Sequence, residues 1–306
     1  MQNSDSPTPA HLAIGIFDGV HLGHRAILRQ AAEAAEADSG TAIALTFWPH
    51  PSAVLRPGNA VSMLYDQEQR RRHLLEAGVQ EVVFQEFDAE FASMEAEDFP
   101  QQLKATFPGL KSVSVGAGFR YGKARRGDAE LLVETGRAIG LDVRPVARVD
   151  LDGEPLSSTR IREKVAAGDM AAAHRHLGRP YLAVGAIAKG ESIGREIGFP
   201  TFNLDWRPEL RPAHGVYAVR AVFPDFGHLA YGGVANYGSR PTVTGGGADP
   251  MLEVHLLEPP PDSPGLRMEV SLLHHIRPEK KFPSLDALAK RIEMDVGLAK
   301  KLLAET

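Results

Sequence analysis

The sequence predicts an α/β domain built on a parallel sheet, followed by a small antiparallel β-barrel and a terminal helix. Two observations predict this order. Apolar, strand-like runs alternate with helical segments up to about residue 178, and short β-rich runs separated by Gly and Pro follow. The 306 residues, 43% of them hydrophobic, suffice for two buried cores at roughly 150 residues per domain. We therefore expect one domain over residues 1–178 and a second over residues 179–306.

The first half alternates between predicted strands and predicted helices. An apolar run opens it, a glycine-containing turn follows, and an alanine-rich helix continues to residue 37. Later strands are predicted at Thr41–Phe47, Glu81–Phe84, Ser112–Val115 and Asp142–Val146, and later helices at Asp66–Ala77, Glu95–Ala105, Asp128–Ile139, Arg160–Ala167 and Met170–Leu177. Strands that alternate with helices form a parallel sheet with both faces covered.

The sequence pattern of the second half predicts short antiparallel strands and one helix. The strands are expected at Tyr181–Ile187, Gly215–Ala221, Leu229–Ala235, Leu252–Leu256 and Met268–His274. Ser284 is a suitable N-cap for the terminal helix, and Asp286 lies in its first turn.

Composition restricts the classes of protein. A net charge of -5 argues against a nucleic-acid-binding protein that relies on bulk positive charge. The sequence contains no cysteine, which excludes a disulfide framework, a thiolate metal site and a cysteine nucleophile. No signal peptide and no apolar run of transmembrane length is evident. We expect a cytoplasmic protein without nucleic-acid or membrane partners, and a homo-oligomer stays open.

A candidate anion site lies where the first strand turns into the first helix. The octet from residue 17 to residue 24 contains Gly19 and Gly23 beside His21 and His24. A helix start offers free backbone N–H groups and the positive end of the helix dipole, which suit a phosphate. The alternative is that both histidines are ordinary helix-start residues beside a tight turn, and the motif alone leaves that open.

A second candidate phosphate site lies at a later predicted helix start. The usual Gly-x-x-x-x-Gly-Lys-Ser/Thr phosphate loop is absent, so a nucleotide would need other groups. Ser158 and Thr159 supply hydroxyls, and Arg162 follows with a positive charge. An N-cap followed by a solvated basic turn is the alternative interpretation.

The second half has its own candidates. Thr201 and Asn203 offer hard oxygen ligands on the same side of an extended chain, an arrangement appropriate for Mg²⁺ bound with ATP. A glycine-rich barrel turn with a buried threonine is the alternative. Glu253 interrupts an otherwise apolar predicted strand, where the common outcome is a side chain that faces solvent.

These motifs resemble one family. The octet Phe-Asp-Gly-Val-His-Leu-Gly-His closely resembles the opening motif of the adenylyltransferase module of bacterial bifunctional riboflavin kinase/FAD synthetases, within the wider His-x-Gly-His nucleotidyltransferases. Ser157–Arg162 resembles the family's Ser-Ser-Thr-x-Ile-Arg segment, and Phe47–Pro51 its Phe-x-Pro-His-Pro. Segments 185–203, 236–242 and 252–255 resemble the riboflavin kinase motifs. The resemblance covers about residues 13 to 303.

The resemblance implies a Rossmann-like nucleotidyltransferase domain that adenylylates FMN to FAD. It implies ATP as co-substrate and Mg²⁺ as cofactor. His21 and His24 would act at the reacting phosphates, next to Gly19 and Gly23. The β and γ phosphates would be bound by Ser158, Thr159 and Arg162.

The resemblance also implies a riboflavin kinase barrel. Glu253 would be the general base that takes the proton from the ribityl 5′-hydroxyl as this attacks the ATP γ-phosphorus. Thr201 and Asn203 would hold the metal, and Asn236 and Arg240 would bind the flavin. The ATP phosphates would approach the backbone of Gly190, Gly194 and Gly198.

Three positions depart from the family's pattern. Gly118 stands where an amide or carboxylate is usual, and Trp48 where a polar residue is usual. The proline run Pro259–Pro261 replaces an Asp-Leu-Tyr-Gly stretch near the flavin. The first two changes motivate a second hypothesis, in which only the kinase is active and the adenylyltransferase module is weakened. A third hypothesis is a flavin-nucleotide-binding protein without turnover.

Overall fold

The protein folds into two compact units. The computed structural model describes residues 7–151, 153–188, 193–238, 250–259 and 265–305. Within it, the chain divides by its internal contacts into Met1–Ser158 and Thr159–Thr306. No helix of these described ranges is long and apolar enough to cross a membrane.

The first unit contains the predicted alternation of strands and helices. Its strands are β1 (Ala10–Ile14), β2 (Thr41–Trp48), β3 (Glu81–Glu86), β4 (Leu110–Gly116), β5 (Arg120–Tyr121), β6 (Gly127–Asp128), β7 (Asp142–Val146), β8 (Asp150–Leu151) and β9 (Glu154–Pro155). Its helices are α1 (Leu22–Asp38), α2 (Pro51–Leu55), α3 (Gln67–Glu76), α4 (Ala89–Ala92), α5 (Phe99–Thr106) and α6 (Ala129–Ala138). The predicted helix at residues 95–105 is divided, because Pro100 sits in the first turn of α5 and suits a helix start.

The main sheet is parallel and has the strand order β3-β2-β1-β4-β7. Successive side chains along β1 and β2 point to opposite faces of the sheet and so belong to two separate hydrophobic cores. Leu12 and Ile14 pack with residues of α5 and α6, whereas Ala13 and Ala44 pack with residues of α1 and α3. Small side chains on the second face let α1 approach the sheet closely. The sheet is therefore buried on both faces, as the sequence predicted.

The strand order creates a switch point between β1 and β4. The chain passes from β1 to β2 on one side, while β4 and β7 extend the sheet on the other. In open α/β sheets, ligands bind outside the carboxyl ends of the strands where the order reverses. The loop after Ile14 starts there, which gives the histidine octet its position.

The second unit is a closed barrel flanked by helices. Helix α7 (Ser158–Ala166) starts at the boundary between the units, and α8 (Met170–Leu177) follows. The strands are β10 (Tyr181–Ala188), β11 (Phe202–Asp205), β12 (Gly215–Val222), β13 (Ala230–Gly238), β14 (Met251–Leu256) and β15 (Arg267–Arg277), with the short helix α9 (Ile193–Glu196) and the terminal helix α10 (Leu285–Ala304). The barrel order is β10-β11-β14-β13-β12-β15, with antiparallel neighbours throughout. The predicted fold class is confirmed, and β11 is one strand more than the sequence predicts for the barrel.

The terminal helix covers part of the outer face of the barrel. Val216, Ala218 and Val234 form a buried cluster with Ala299 of α10. The alternate residue Tyr217 is fully buried, and its phenol donates to the carbonyl of Ala213. The face that carries Val216 therefore points out of the barrel toward α10.

An ion pair fixes α10 to the end of β15. Asp295 is only 2% exposed and accepts from Arg277 Nε at 2.8 Å and from Arg291 Nε at 3.0 Å. Breaking a buried pair leaves an uncompensated charge. We expect Asp295→Ala to lower the free energy of unfolding of the barrel by about 3 kcal/mol. Denaturant unfolding followed by Trp206 fluorescence in a Trp48→Phe background measures it.

The matched control is Asp205→Ala. Asp205 pairs with Arg207 at 3.0 Å, but both side chains are exposed. Exposed pairs contribute less than about 1 kcal/mol. If Asp295→Ala and Asp205→Ala lower the free energy of unfolding equally, the buried ion pair of Asp295 has no special role in stability.

Candidate functional site

The loop between β1 and α1 is held in an unusual backbone conformation. Phe17, Gly19 and Val20 have φ angles of 50°, 84° and 41°, in the left-handed region. Asp18 anchors the loop, because its Oδ1 accepts from the backbone N–H of Leu64 at 3.0 Å. Left-handed non-glycine residues are costly and cluster at functional sites.

The two histidines of the octet stack on each other at the start of α1. His21 is the N-cap, and its Nδ1 accepts from the backbone N–H of His24 at 3.3 Å. The ring centroids lie 3.6 Å apart with an interplanar angle of 18°. Phe17 packs against His24 edge to face, with centroids 5.4 Å apart. The imidazoles are therefore fixed at the helix start, beside its backbone N–H groups.

Ser158 reaches the same loop. Its Oγ donates to the backbone carbonyl of Asp18 at 2.8 Å. The predicted hydroxyl segment thus meets the histidine loop within the first unit. Thr159 and Arg162 follow along α7 in the second unit, where Thr159 is exposed and Arg162 is half-buried.

A cavity of about 230 Å³ opens beside the histidines. The ends of β1, β4 and β7 and the start of α1 supply its wall, which includes His21, His24, Gly118 and Arg148. It therefore lies at the switch point of the sheet, where a nucleotide is expected.

A larger cavity of about 690 Å³ shares Gly118 and Phe119 with the first. Its wall is rich in aromatic rings, namely Phe47, Phe87, Phe91, Phe99, Phe119 and Tyr121. Phe119 and Tyr121 lie with ring planes 16° apart and centroids separated by 5.5 Å. Burial raises the pKa of Tyr121 to about 12, so its phenol stays neutral. A flat aromatic ligand suits this wall.

Because Gly23 has no side chain, the His21 ring can pack directly against it. A Cβ on residue 23 would lie 3.1 Å from His21 Cε1, which is tighter than an ordinary contact. We expect Gly23→Ala to shift the ring by a few tenths of an ångström and to lower about tenfold the rate of a reaction that depends on its position. The free energy of unfolding should change by less than about 1 kcal/mol, because alanine favours the helix. Steady-state kinetics and thermal unfolding measure the two effects.

Gly297→Ala is the control for that substitution. Gly297 lies within α10, and a Cβ there would meet no atom within 4 Å. It should stabilise the protein by about 0.5–1 kcal/mol without loss of activity. If Gly23→Ala behaves in the same way, the packing of Gly23 against His21 has no role in the reaction.

In the barrel, three predicted residues form one row across neighbouring strands. Asn203 of β11 lies directly opposite Glu253 of β14, and Glu253 lies opposite Asn236 of β13. Asn236 in turn lies opposite Val216, whose side chain faces α10. Directly opposite residues share one face of a sheet. The row is therefore on the outer face, where Asn203 is 3% exposed and Glu253 is half-buried.

The segment before β11 is folded against the same strands. The backbone N–H of Phe199 donates to the carbonyl of Gly194 at 2.7 Å, and His255 Nδ1 lies 2.9 Å from the carbonyl oxygen of Pro200. A Cβ on Gly194 would lie 3.4 Å from Thr201 Oγ1, and Gly198 has a φ of 86°. The segment thus brings Thr201 to the entrance of β11, two residues before Asn203. The predicted residues Gly190, Arg240, Pro260 and Pro261 lie outside the described residues.

Sequence reasoning missed the aromatic wall and Arg148. The aromatic residues come from β2, the turn after β3, α4, α5, the turn before β5 and β5 itself, so no single local spacing connects all of them. Arg148 follows β7 without any motif around it. Only the expectation that loops after parallel strands meet at one edge could have indicated it.

Stacked histidines at a sheet switch point and a carboxylate between two amides on a separate barrel suit a two-domain enzyme that binds phosphate groups. The family model for FAD synthetase matches residues 3–160, and the model for riboflavin kinase matches residues 177–303. The chain belongs to the bifunctional riboflavin kinase/FMN adenylyltransferase family.

Relatives named bifunctional riboflavin kinase/FMN adenylyltransferase match nearly the whole chain. The Escherichia coli (strain K12) protein is 36% identical over 295 residues, which cover 96% of this chain and 93% of the relative. The Haemophilus influenzae protein is 37% identical, with 94% and 92% covered. The Bacillus subtilis protein is 31% identical, with 93% and 89% covered.

A solved structure shares the fold over both units. It is described as a macrolide-efflux protein from Streptococcus pneumoniae and is 29% identical. The similarity covers 97% of this chain and 96% of that one, with a TM-score of 0.84.

Proposed function

We propose that this protein phosphorylates riboflavin to FMN and then adenylylates FMN to FAD, with ATP as co-substrate in both reactions. The observation that carries the proposal is the ordered match of both family models along one chain. The names of the relatives, which are similar along more than nine-tenths of this chain, support the same pair of activities.

Adenylyl transfer is assigned to the first unit. An oxygen of the FMN phosphate attacks the α-phosphorus of ATP, and pyrophosphate leaves as the bond between the α and β phosphates breaks. Catalysis of this kind depends on positioning and charge stabilisation. His21 and His24 donate to phosphate oxygens at the reacting centre, beside the backbone of Gly19 and Gly23. Support comes from their fixed stacking at the start of α1.

The remaining assignments in this reaction concern the triphosphate and the flavin. Ser158, Thr159 and Arg162 bind the β and γ phosphates, as hydroxyls at a helix start and a nearby cation do. The flavin ring of FMN occupies the aromatic cavity, which has the volume and flat walls for it.

Phosphorylation of riboflavin is assigned to the barrel. Glu253 accepts the proton of the ribityl 5′-hydroxyl as its oxygen attacks the γ-phosphorus of ATP, and ADP leaves. Asn236 and Arg240 bind the flavin, and the backbone of Gly190, Gly194 and Gly198 approaches the phosphates. The support in the described residues is the row in which Glu253 lies between Asn203 and Asn236.

The donor set near β11 fits Mg²⁺. Thr201 and Asn203 supply neutral, hard oxygen atoms, and Asn203 is buried. Among the described residues, no group of three or more His, Cys, Asp or Glu side chains could hold a metal ion by itself. A metal that completes its shell with nucleotide phosphates and water matches this pattern. When bound, Mg²⁺ would neutralise charge on the transferred phosphate.

One experiment tests the function. Purified protein receives riboflavin, ATP and Mg²⁺, and chromatography separates the products. Formation of FMN and then FAD is the expected result. FMN without FAD would limit the activity to the kinase, and flavin binding without ATP consumption would leave only a binding protein. Neither product and no binding would overturn the proposal.

Three further assignments stay proposals. The domain boundary at residues 178 and 179 is supported by the start of the riboflavin kinase match at residue 177, whereas the internal contacts group residues 159–178 with the barrel. Kinase activity of residues 179–306, compared with that of residues 159–306, would test the boundary. A cytoplasmic location is proposed because both reactions use ATP, and cell fractionation tests it. Riboflavin, FMN and ATP are the proposed partners, without nucleic acid or membrane, and gel filtration decides whether the chain self-associates.

A further inference from the structure

Arg148 gives the switch-point cavity its permanent positive charge. Sixteen described residues line this cavity, and among them Arg148 is the one that carries a charge at every physiological pH. The lining set contains no carboxylate. His21 and His24 are the other ionisable residues of the set.

The Arg148 guanidinium is available for a ligand. Its side chain is exposed, and it makes no hydrogen bond or ion pair with the residues that the structure describes. An exposed arginine commonly pairs with a carboxylate, as Arg144 does with Asp142 at 2.7 Å in the preceding strand. Arg148 instead extends along the cavity wall.

Its position is the junction of the two cavities. A Cβ built on Gly118 would lie 3.8 Å from Arg148 Nη2. Gly118 and Phe119 are the residues that line both the histidine cavity and the aromatic cavity. Because Gly118 has no side chain, the guanidinium lies over the backbone at this junction. A longer side chain at residue 118 would extend toward the same space.

We propose that Arg148 binds phosphate oxygens where the two substrates of adenylyl transfer meet. The inference rests on the proposed function of this domain and adds a substrate-binding residue to it. A triphosphate and a phosphate monoester bring several negative charges into one site, and a guanidinium binds two phosphate oxygens at once. Arg148 stabilises the charge that moves onto the departing pyrophosphate and transfers no proton.

The test compares Arg148→Ala with Arg148→Lys and with the control Arg144→Ala. Arg148→Ala should lower kcat/KM for FAD formation by about 10- to 100-fold, as the loss of a charged hydrogen bond does. Arg148→Lys should recover part of the rate, because it keeps the charge without the two-pronged geometry. Arg144→Ala, which removes the same charge four residues earlier, should leave the rate unchanged. Phosphorylation of riboflavin should be equal in all variants, and an equal midpoint of thermal unfolding shows that their first unit is folded.

A binding measurement separates this inference from the proposed function. Calorimetry with inorganic pyrophosphate and Mg²⁺ on the full chain should give about tenfold weaker binding for Arg148→Ala than for the parent protein. If the parent protein makes no FAD, the proposed function fails, and the pyrophosphate affinities still decide whether Arg148 binds phosphate. Unchanged pyrophosphate affinity in Arg148→Ala overturns the inference, and so does FAD formation within twofold of the parent rate.

Discussion

Replacement of Glu253 by glutamine should lower the rate of riboflavin phosphorylation by about 10²- to 10⁴-fold. Glutamine keeps the size of the side chain but cannot accept the proton of the attacking hydroxyl. The row Asn203–Glu253–Asn236 should stay intact, because the backbone pairing of β11, β14 and β13 does not involve the carboxylate. Chromatographic measurement of FMN formed from riboflavin, ATP and Mg²⁺ gives the rate.

Glu269→Gln is the matched control for Glu253. Glu269 is another half-buried glutamate on a barrel strand, but it lies on β15, whose neighbours are β10 and β12. Its substitution should leave both activities within twofold. FAD formation from supplied FMN should also survive in Glu253→Gln, because that reaction is assigned to the first unit. A Glu253→Gln protein that retains a tenth or more of the kinase rate would rule out the general-base role.

Replacement of His21 by asparagine should lower FAD formation from FMN by about 10²- to 10³-fold, which is the usual cost of losing one donor to a developing charge. Asparagine is also a favourable N-cap, so α1 keeps its side-chain cap while the imidazole is removed. The free energy of unfolding should therefore change by less than about 1 kcal/mol. Steady-state kinetics and thermal unfolding test both halves of the prediction.

Ser284→Asn is the control for replacing one N-cap residue by asparagine at a helix outside the histidine site. Ser284 caps α10, and its Oγ accepts from the backbone N–H of Ala287 at 3.2 Å. This variant should keep both activities. Riboflavin phosphorylation should also be unaffected by His21→Asn. If His21→Asn loses kinase and adenylyltransferase rates together, the substitution disturbs folding and the histidine is not a specific phosphate ligand.

Local pattern was enough to predict most of the secondary structure. Apolar runs and helix periodicity fixed β7 (Asp142–Val146) and α8 (Met170–Leu177) with the bounds that the structure has. The cap at Ser284 was also confirmed, because capping depends on one side chain and the next three residues. β11 was not predicted as a separate strand, since its four residues are defined by pairing with β10 and β14.

Site residues in contiguous motifs were predicted from the sequence, whereas those brought together by distant segments were not. His21, His24 and the segment from Ser157 to Arg162 are contiguous motifs, and the structure joins their starts through the hydrogen bond from Ser158 to Asp18. Their roles in the reaction stay predictions until the kinetics are measured. The aromatic cavity is assembled from several separate elements, which no single stretch of sequence can indicate.

The sequence by itself determined three things: that an α/β domain precedes a β-barrel, which motifs lie at the helix starts, and which family those motifs resemble. These features depend on residues close together in the chain, where propensity, periodicity and spacing act directly. Only the tertiary structure decided that Glu253 lies between Asn203 and Asn236, and that Arg148 lies over Gly118. Strand register and the meeting of loops at a sheet edge depend on packing between distant segments. Such contacts exist only once the sheet and the barrel have closed.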